Sequence, residues 1–551
     1  MTKDVFTFLV GGKAGEGTKK AGLTAGRLFT GRGLHVFLMD DYMSLIRGGH
    51  NFSVISTTSS PISSHYMAAD LVVALDQRSY DNHRGHLAKD GVMVYNADVV
   101  KDAEGIGLPL TSLAKTFPNP SLRIGVGTIA VLAAAIGITG DGLEALVRAE
   151  YPRDIENNIA YARAVHDAVP QELHGRFTLP EGDEARAFLT GNEAIALGAV
   201  AGGLDLYVAY PMTPASSILH YLAAHEEELG ITTMHAESEL AVINLAVGAA
   251  SVGARTMVGT SGGGFALMEE GLSLAGMAEV PMLTVLSQRP GPATGVPTYT
   301  LQGDLLFALH YGHGEFPRIV ASPATVGEAF SVTAELLDLS WRFQTPAVLL
   351  TEKHLSESRM TTELALDAAP EATGIMHAEG EYARYRLTED GISPLLFPPT
   401  TELVKWSSYE HDERGVTTEA PNAIMSMQEK RVRKNKALVA HMQRMRTVNV
   451  YGDKGPIILT YGSTTMSVLE ALRAGGLEAI VVQPLYLEPF PWWELKRFAD
   501  ERIVVVEQSA TGQFARLVSE RGGLVPRAVV TLFDGRPFDP HELADELRGC
   551  L

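Results

Sequence analysis

Short apolar segments, followed by glycine and then by residues of helical periodicity, recur along the 551-residue chain. This alternation predicts parallel β-sheets covered by helices, because parallel neighbours are joined by a crossover, which is usually a helix. At this length the chain is expected to form several domains. The predicted fold class is therefore α/β, with several domains built on parallel sheets.

The alternation divides the chain into three α/β blocks, with predicted bounds 1–185, 190–355 and 454–551. Residues 356–453 lack the pattern and contain prolines, acidic residues and a basic run, Lys430–Arg446. We interpret them as a linking segment. The basic run is expected to form a solvated amphipathic helix rather than a binding patch.

Composition excludes several classes of function. The net charge of −20 argues against a nucleic-acid partner, because such binding depends on Lys and Arg displacing counterions. Cys550 is the single cysteine, so one chain forms no disulfide, zinc–thiolate site or four-cysteine cluster. The most hydrophobic stretch, Ile124–Ile138, is shorter than the roughly 20 residues of a membrane span, and the first residues do not resemble a signal peptide. A soluble, cytoplasmic protein without a membrane partner is expected.

The segment Gly11–Gly17 lies between a predicted strand and a predicted helix, where backbone N–H groups can hold an anion. Its glycines, which include Gly12, Gly15 and Gly17, fit neither the G-x-G-x-x-G pattern nor the P-loop pattern. A tight turn without a ligand and an anion site of another kind both remain open.

Two residues of the second block lie where parallel strands end. Thr213 precedes Pro214, an order typical of a helix N-cap followed by proline, and a hydroxyl there would face the crevice that binds ligands in open α/β sheets. Arg289 follows the apolar run Met282–Leu286, and its planar guanidinium suits a carboxylate. An ordinary loop arginine is the alternative.

Glu239 precedes the run Leu240–Ala250, which is apolar nearly all round and is predicted to form a buried helix. A buried lone carboxylate is unusual and would suit proton sharing with a ring nitrogen. A simple acidic residue in a first helical turn is the alternative.

Gly259–Gly263 matches the nucleophile elbow G-x-S-x-G, with Ser261 as the nucleophile of a serine hydrolase. No acidic residue stands out as the partner of a catalytic histidine. The glycines from 262 to 264 would equally suit a loop that lets a planar ligand approach the backbone.

Read together, four segments closely resemble the α subunit of 2-oxoacid:ferredoxin oxidoreductases, in the form with a γ domain fused ahead of it. The segments are Tyr210–Pro214, Glu237–Glu239, Thr260–Phe265 and Gln288–Gly295. The resemblance covers nearly the whole chain: the first block resembles the γ domain, the second the thiamine-diphosphate pyrimidine domain, and the last the transketolase C-terminal domain, through Val506–Gln513. Met212, Gly263 and Ser509 depart from the usual residues.

The resemblance implies a role for each matching position. Glu239 would contact the aminopyrimidine of thiamine diphosphate and favour the imino form that removes the C2 proton. Thr213 and Arg289 would hold the carboxylate and oxo group of the substrate, and Thr298 would influence specificity. Arg47 would face the substrate, where a second cation suits a dicarboxylate. Thiamine diphosphate contacts are also implied for Tyr210, Pro211, Ser261 and Gly262, and coenzyme A contacts for Gly12, Gly15 and Gly17.

The implied reaction converts 2-oxoglutarate, coenzyme A and oxidised ferredoxin into succinyl-CoA, CO2 and reduced ferredoxin, and it is reversible, so it can fix CO2. Pyruvate and branched 2-oxo acids are alternative substrates. The chain lacks a magnesium–diphosphate motif, a metal site and cluster cysteines. A β subunit would therefore supply Mg2+ and the 4Fe–4S cluster, in a heterotetramer of two α and two β chains. A serine hydrolase and a non-catalytic scaffold subunit are the rival hypotheses.

Overall fold

A computed structural model describes residues 4–43 and 49–551, without the side chain of Leu122. Two compact units are present. The first contains residues 1–189, 357–363 and 539–542, and the second contains residues 190–356, 364–538 and 543–551. Arg47 lies outside the described residues.

The part of the chain before residue 191 forms seven strands and six α-helices within the described ranges. The strands are β1 (Phe6–Lys13), β2 (His35–Tyr42), β3 (His50–Thr58), β4 (Ala69–Ala74), β5 (Leu87–Asn96), β6 (Ile106–Leu108) and β7 (Ala187–Thr190). The helices are α1 (Thr18–Gly31), α2 (Gln77–His83), α3 (Leu110–Ala114), α4 (Ile124–Ala135), α5 (Gly140–Glu150) and α6 (Ile155–Ala168).

Strands and helices alternate in residues 191–362. The helices are α7 (Gly191–Ala201), α8 (Ser216–Ala224), α9 (Glu226–Leu229), α10 (Glu239–Ser251), α11 (Gly262–Met277), α12 (Leu305–Leu309), α13 (Val326–Phe343) and α14 (Lys353–Glu357). The strands are β8 (Leu206–Ala209), β9 (Thr232–His235), β10 (Thr256–Thr260), β11 (Met282–Gln288), β12 (Ile319–Ala321), β13 (Pro346–Glu352) and β14 (Arg359–Thr362).

The remaining residues contain a long irregular segment and then a smaller α/β module. The helices are α15 (Pro421–Met442), α16 (Thr464–Gly475), α17 (Trp492–Leu495), α18 (Gln513–Gly522) and α19 (Pro540–Cys550). The strands are β15 (Val448–Tyr451), β16 (Ile457–Leu459), β17 (Ile480–Pro484), β18 (Tyr486–Glu488), β19 (Ile503–Glu507) and β20 (Ala528–Thr531).

The first unit is built on an eight-stranded sheet with the order β6-β5-β4-β1-β3-β2-β14-β7. Its strands β1, β4, β5 and β6 are parallel, whereas β3 pairs with both β1 and β2 in antiparallel fashion. The apolar helix α4 is buried along its whole length in the core of this unit. Among the described residues no helix combines the length and the hydropathy that crossing a bilayer requires.

The second unit contains two more sheets. A seven-stranded sheet has the order β18-β12-β13-β11-β10-β8-β9, in which every pair except β12 with β18 is parallel. A five-stranded sheet has the order β15-β17-β16-β19-β20, with β15 antiparallel to its neighbour. The α/β fold class predicted from the alternation of strands and helices is confirmed, with the refinement that each sheet is mixed: β3 is antiparallel to its neighbours in the first, and β18 and β15 are antiparallel edge strands of the other two.

The basic run forms a helix as predicted as far as Met442, but it is only partly solvated, because Lys430, Arg431 and Lys434 are buried. Lys430 and Lys434 are 0% and 1% exposed, and both donate to the buried carboxylate of Glu279 over 2.7 Å. Arg384 donates to the Glu279 carbonyl oxygen over 2.7 Å. Burial opposes ionisation of Glu279, but the three cations outweigh it and lower the pKa of that carboxyl. Burial also lowers the pKa of Lys434 to about 7.

Replacing Glu279 with Gln should destabilise the second unit, because Lys430 and Lys434 would remain buried without an opposite charge. A loss of roughly 3–5 kcal/mol in the free energy of unfolding is expected. Chemical denaturation measures it. The control is Glu381→Ala, which removes the exposed ion pair with Arg414 and should cost about 1 kcal/mol or less. Equal losses of unfolding free energy in Glu279→Gln and Glu381→Ala would contradict a stabilising role of the buried Glu279–Lys430–Lys434 cluster.

Candidate functional site

Three of the residues predicted to act on a substrate or cofactor follow neighbouring parallel strands of the seven-stranded sheet. Thr213 follows β8, Ser261 follows β10 and Arg289 follows β11, and β10 pairs with both other strands. Parallel pairing places the carboxyl ends of these strands at one edge, where open α/β sheets bind ligands. The sheet therefore brings Thr213, Ser261 and Arg289 to a common edge.

Arg289 is held by the loop after β8. Its Nη1 atom donates to the carbonyl oxygen of Thr213 over 2.6 Å. The expected N-cap role of Thr213 is wrong, because α8 begins at Ser216 and Ala215 is the capping residue. Thr213 instead lies in a turn ahead of the helix, and its backbone carbonyl orients the guanidinium.

Asp304 is a neighbour of Arg289 that sequence reasoning missed. Burial raises the pKa of its carboxyl to about 6, although the positive charge of Arg289 opposes the shift. Its backbone N–H donates to Gln288 Oε1 over 2.9 Å, one residue before Arg289. A Cβ atom added at Gly262 would lie 2.7 Å from Asp304 Oδ2, so this carboxylate also borders the first turn of α11. An Asp directly before the apolar run Leu305–Leu309 was the available signal, since Asp is common before helices.

Glu239 is the first residue of α10, and Ser238 caps this helix by accepting from the N–H of Ala241. Glu239 is 4% exposed, and its Oε1 atom is buried without a hydrogen-bond partner among the described residues. A Cβ at Gly264 would lie 2.7 Å from Oε1 and collide with Thr260 Oγ1. Glycine at 264 is therefore required for the close approach of the carboxylate.

The prediction that α10 is buried all round is wrong. Leu240 and Leu245 are 52% and 41% exposed, because the helix packs only one side against α11, β8 and β10. Leu267 of α11 and Tyr210 after β8 are also exposed. Four apolar side chains of these elements are therefore exposed.

Ser261 is the N-cap residue of α11, and Gly262, Gly263 and Gly264 form its first turn rather than a loop. The Ser261 Oγ atom is buried and makes no hydrogen bond within the described part of the chain, so no imidazole activates it. A serine hydrolase is therefore not supported.

Thr298 and Pro211 complete the predicted set in this unit. Thr298 lies in the loop between β11 and α12, is 5% exposed, and has a hydroxyl without a partner among the described residues. Pro211 is partly buried beside Tyr210, whose ring lies 6.2 Å from that of His235.

In the first unit the predicted glycine loop is shorter than expected, because β1 extends to Lys13 and includes Gly12. The Lys13 N–H donates to Glu16 Oε2, and the Ala14 N–H donates to the Gly49 carbonyl. The Glu16 N–H donates to the Lys13 carbonyl. Gly15 and Gly17 have φ angles of 99° and 84°, and Gly17 contacts Gly125 of α4. The segment is thus a tight turn in which the N–H groups of Lys13, Ala14 and Glu16 already have partners.

A third acidic residue, besides Asp304 and Glu239, lies at this edge of the sheet. Glu352 ends β13, pairs in register with Gln288, and is fully buried. Burial raises the pKa of this carboxyl to about 7, against hydrogen bonds that include the Ser463 N–H at 2.9 Å. Within residues 4–43 and 49–551, no group of three or more His, Cys, Asp or Glu side chains is arranged to hold a metal ion.

Known proteins resemble the chain along its length. The family described as pyruvate flavodoxin/ferredoxin oxidoreductase, thiamine diphosphate-binding, matches residues 197–430, and the family described as pyruvate ferredoxin/flavodoxin oxidoreductase matches residues 7–168. The 2-oxoacid:ferredoxin oxidoreductase α subunits of a Sulfolobus species and of Sulfurisphaera tokodaii are each 30% identical over 99% of this chain, and over 96% and 97% of their own lengths. The structure of 2-oxoglutarate:ferredoxin oxidoreductase from Magnetococcus marinus, with 2-oxoglutarate, coenzyme A and succinyl-CoA bound, matches with a TM-score of 0.90, 27% identity and 99% coverage of both chains.

Glu352→Gln should stabilise the protein relative to the wild type at pH 8, and it should have a much smaller effect at pH 5. The Glu352 carboxyl has a pKa of about 7 in the folded protein, against an ordinary 4.5. Between these pH values the folded protein retains a proton that the unfolded chain loses, so the free energy of unfolding falls as the pH rises. Gln keeps the oxygen that accepts from Ser463 and removes the charge. An increase of about 2–4 °C in melting temperature is expected at pH 8, measured by calorimetry. The exposed control Glu478→Gln should show no such change, and a pH-independent effect of Glu352→Gln would contradict the titration.

Proposed function

Because the chain belongs to the family of 2-oxoacid:ferredoxin oxidoreductase α subunits, we propose that it binds a 2-oxo acid and the pyrimidine half of thiamine diphosphate at the carboxyl edge of its seven-stranded sheet. The family consists of oxidoreductases that act on the oxo group of a donor with an iron–sulfur protein as acceptor. The observation that supports the site is the Oε1 atom of Glu239, which is buried next to Gly264 of α11 and has no hydrogen-bond partner among the described residues.

The residues at this edge fit the cofactor. Glu239 Oε1 and Ser261 Oγ are buried polar atoms without partners among the described residues, and such atoms are costly unless a ligand or water satisfies them. A nitrogen of an aminopyrimidine would give Glu239 a partner with which to share a proton. Tyr210, Pro211 and Gly262 are proposed to contact the same ring. When bound, thiamine diphosphate supplies the carbanion chemistry for decarboxylation.

The substrate would be oriented by Arg289. Its guanidinium uses one donor on the Thr213 carbonyl, which leaves further N–H groups for a carboxylate. Thr298 is proposed to contribute its hydroxyl, which has no partner within the described part of the chain, to the same substrate. We propose 2-oxoglutarate as the substrate, since the Magnetococcus marinus relative was solved with it. Pyruvate and branched 2-oxo acids are the alternatives. They lack the second carboxylate that Arg47 is proposed to contact, so this contact would distinguish 2-oxoglutarate from them.

Coenzyme A is proposed as the acyl acceptor and ferredoxin as the electron acceptor. The Magnetococcus marinus relative binds coenzyme A, and Gly12, Gly15 and Gly17 remain the predicted contacts. A β subunit is proposed to carry Mg2+ and the 4Fe–4S cluster, because this chain has a single cysteine. The exposed apolar side chains Tyr210, Leu240, Leu245 and Leu267 are consistent with such a partner, in a heterotetramer of two α and two β chains.

The test is to purify the chain with its β partner and measure reduction of a viologen dye with 2-oxoglutarate, pyruvate and branched 2-oxo acids, each with coenzyme A. The wild-type complex should be active, and Glu239→Gln should lower kcat about 100-fold or more, because proton transfer at the pyrimidine is impaired. The exposed control Glu270→Gln should retain full activity. Failure of every 2-oxo acid would refute the proposed function, and full activity of Glu239→Gln would favour a scaffold role.

Two neighbouring glycines offer a stricter test of the Glu239 position. Gly264→Ala would place a Cβ 2.7 Å from Glu239 Oε1, whereas a Cβ at Gly263 meets no heavy atom within 4 Å. Gly264→Ala is therefore expected to weaken thiamine diphosphate binding about tenfold or more, and Gly263→Ala to change it less than about twofold. Calorimetric titration of the complex with the cofactor measures both. Equal affinities in the two variants would contradict this arrangement.

A further inference from the structure

The loop between β11 and α12, residues 289–304, carries Arg289 and Thr298 and ends against the five-stranded module. The contacts come from the segment Glu507–Gln513, which begins at the last residue of β19, and from Tyr461 and Thr464 near the start of α16. We call residues 289–304 the substrate loop. Its carboxyl-terminal end is attached to a part of the chain about 200 residues away.

Gln302 makes the first attachment. It is 0% exposed, and its backbone N–H donates to the Gln508 carbonyl over 2.6 Å while the Gln508 N–H donates back to Gln302 Oε1 over 2.9 Å. Gln302 Oε1 also accepts from Thr464 Oγ1 over 3.0 Å, and Nε2 donates to the Tyr461 carbonyl over 3.0 Å. These four bonds all join Gln302 to the module, and its side chain also bonds the Glu352 carboxylate at the end of β13. Gln302 therefore lies between the module and the seven-stranded sheet.

Gln513 makes the second attachment. Its Nε2 atom donates to the Gly303 carbonyl over 2.7 Å, and its Oε1 atom accepts from the Leu306 N–H over 3.0 Å. These two bonds lie on either side of Asp304. A single side chain therefore fixes the backbone that precedes and follows Asp304.

Gln513 is itself held in place by the segment to which it belongs. Its N–H donates to Ser509 Oγ over 3.1 Å, and Ser509 Oγ donates to Glu507 Oε2 over 2.6 Å. The Glu507 carboxylate also accepts the N–H groups of Phe514 and Ala515 at 3.0 and 2.9 Å. The start of α18 is thus held by contacts of its own segment, independently of its contacts with the substrate loop.

Asp304 connects these attachments to Arg289. Its N–H donates to the side chain of Gln288, the residue before Arg289, and its carboxylate acts on the guanidinium. A displacement of Asp304 would change both the support and the electrostatic surroundings of Arg289. Small displacements of orienting groups have large effects, because a substrate reacts only from a narrow range of geometries.

We propose that Gln302 and Gln513 are positioning residues for substrate binding, through which the five-stranded module holds the loop of Arg289 and Thr298 in place. This inference rests on the proposed function of Arg289. It gives the segment Glu507–Gln513 a role in the affinity for the 2-oxo acid, although the segment itself need not touch the substrate.

The test compares two glutamines in the purified complex with its β partner. Gln513→Leu removes both bonds to the loop with little change in size. The control is Gln483→Leu, since Gln483 belongs to the same module and donates to Glu328 of α13 over 3.0 Å, away from the substrate loop. Gln483 is fully buried whereas Gln513 is partly buried, so the control is the more demanding substitution. Gln513→Glu is the conservative variant, which keeps the acceptor for Leu306 and loses the donor to Gly303.

Gln513→Leu is expected to raise KM for the 2-oxo acid about tenfold with kcat changed less than about threefold, because two neutral hydrogen bonds are lost. Gln513→Glu should give an intermediate KM, and Gln483→Leu a KM within about twofold of the wild type. Unchanged KM in both Gln513 variants, or equal changes in the Gln513→Leu and Gln483→Leu variants, would overturn the inference. An inactive wild-type complex would refute the proposed function instead, which separates the two failures.

Discussion

The parallel register of β8, β10, β11 and β13 is the constraint on which the candidate site depends. Backbone pairing places Gly259 beside Ala209, Thr260 beside Leu286 and Gln288 beside Glu352. Each strand therefore ends near its neighbour, and the next residues of the chain meet at one edge. Thr213, Ser261 and Arg289 are distant in sequence. The backbone hydrogen bonds of the sheet are sufficient to bring them together, independently of side-chain contacts.

Two kinds of buried polar group occur around this edge. Gln302 has partners for its side-chain donor and acceptor, which gives the loop a defined position. By contrast, Glu239 Oε1, Ser261 Oγ and Thr298 Oγ1 are buried without partners among the described residues. Satisfied groups stabilise a unique arrangement, and unsatisfied ones cost free energy unless a ligand or water meets them. The first kind is the support of the proposed site, and the second kind is its binding surface.

Much of the architecture was predictable, because strand and helix periodicities are local properties. The strand predicted before the glycine segment and the apolar run Met282–Leu286 form β1 and β11. The antiparallel β3 was missed, and the cap at Thr213 was placed three residues before the start of α8. The basic run of α15 was interpreted as solvated because the carboxylate that pairs with Lys430 and Lys434 is Glu279, about 150 residues earlier. Local charge patterns do not identify such distant partners.

The amino-acid sequence by itself determined the α/β class, the order of the motifs that contain Thr213, Glu239 and Arg289, and the absence of enough cysteine for an iron–sulfur cluster in one chain. These properties depend on residue type and local spacing. Only the tertiary structure decided that Asp304 hydrogen-bonds the residue before Arg289, that Gly264 admits the Glu239 carboxylate, and that Gln302 and Gln513 fix the substrate loop. Such contacts arise when the chain closes long loops around a packed core, and a linear pattern does not specify which side chains then become neighbours.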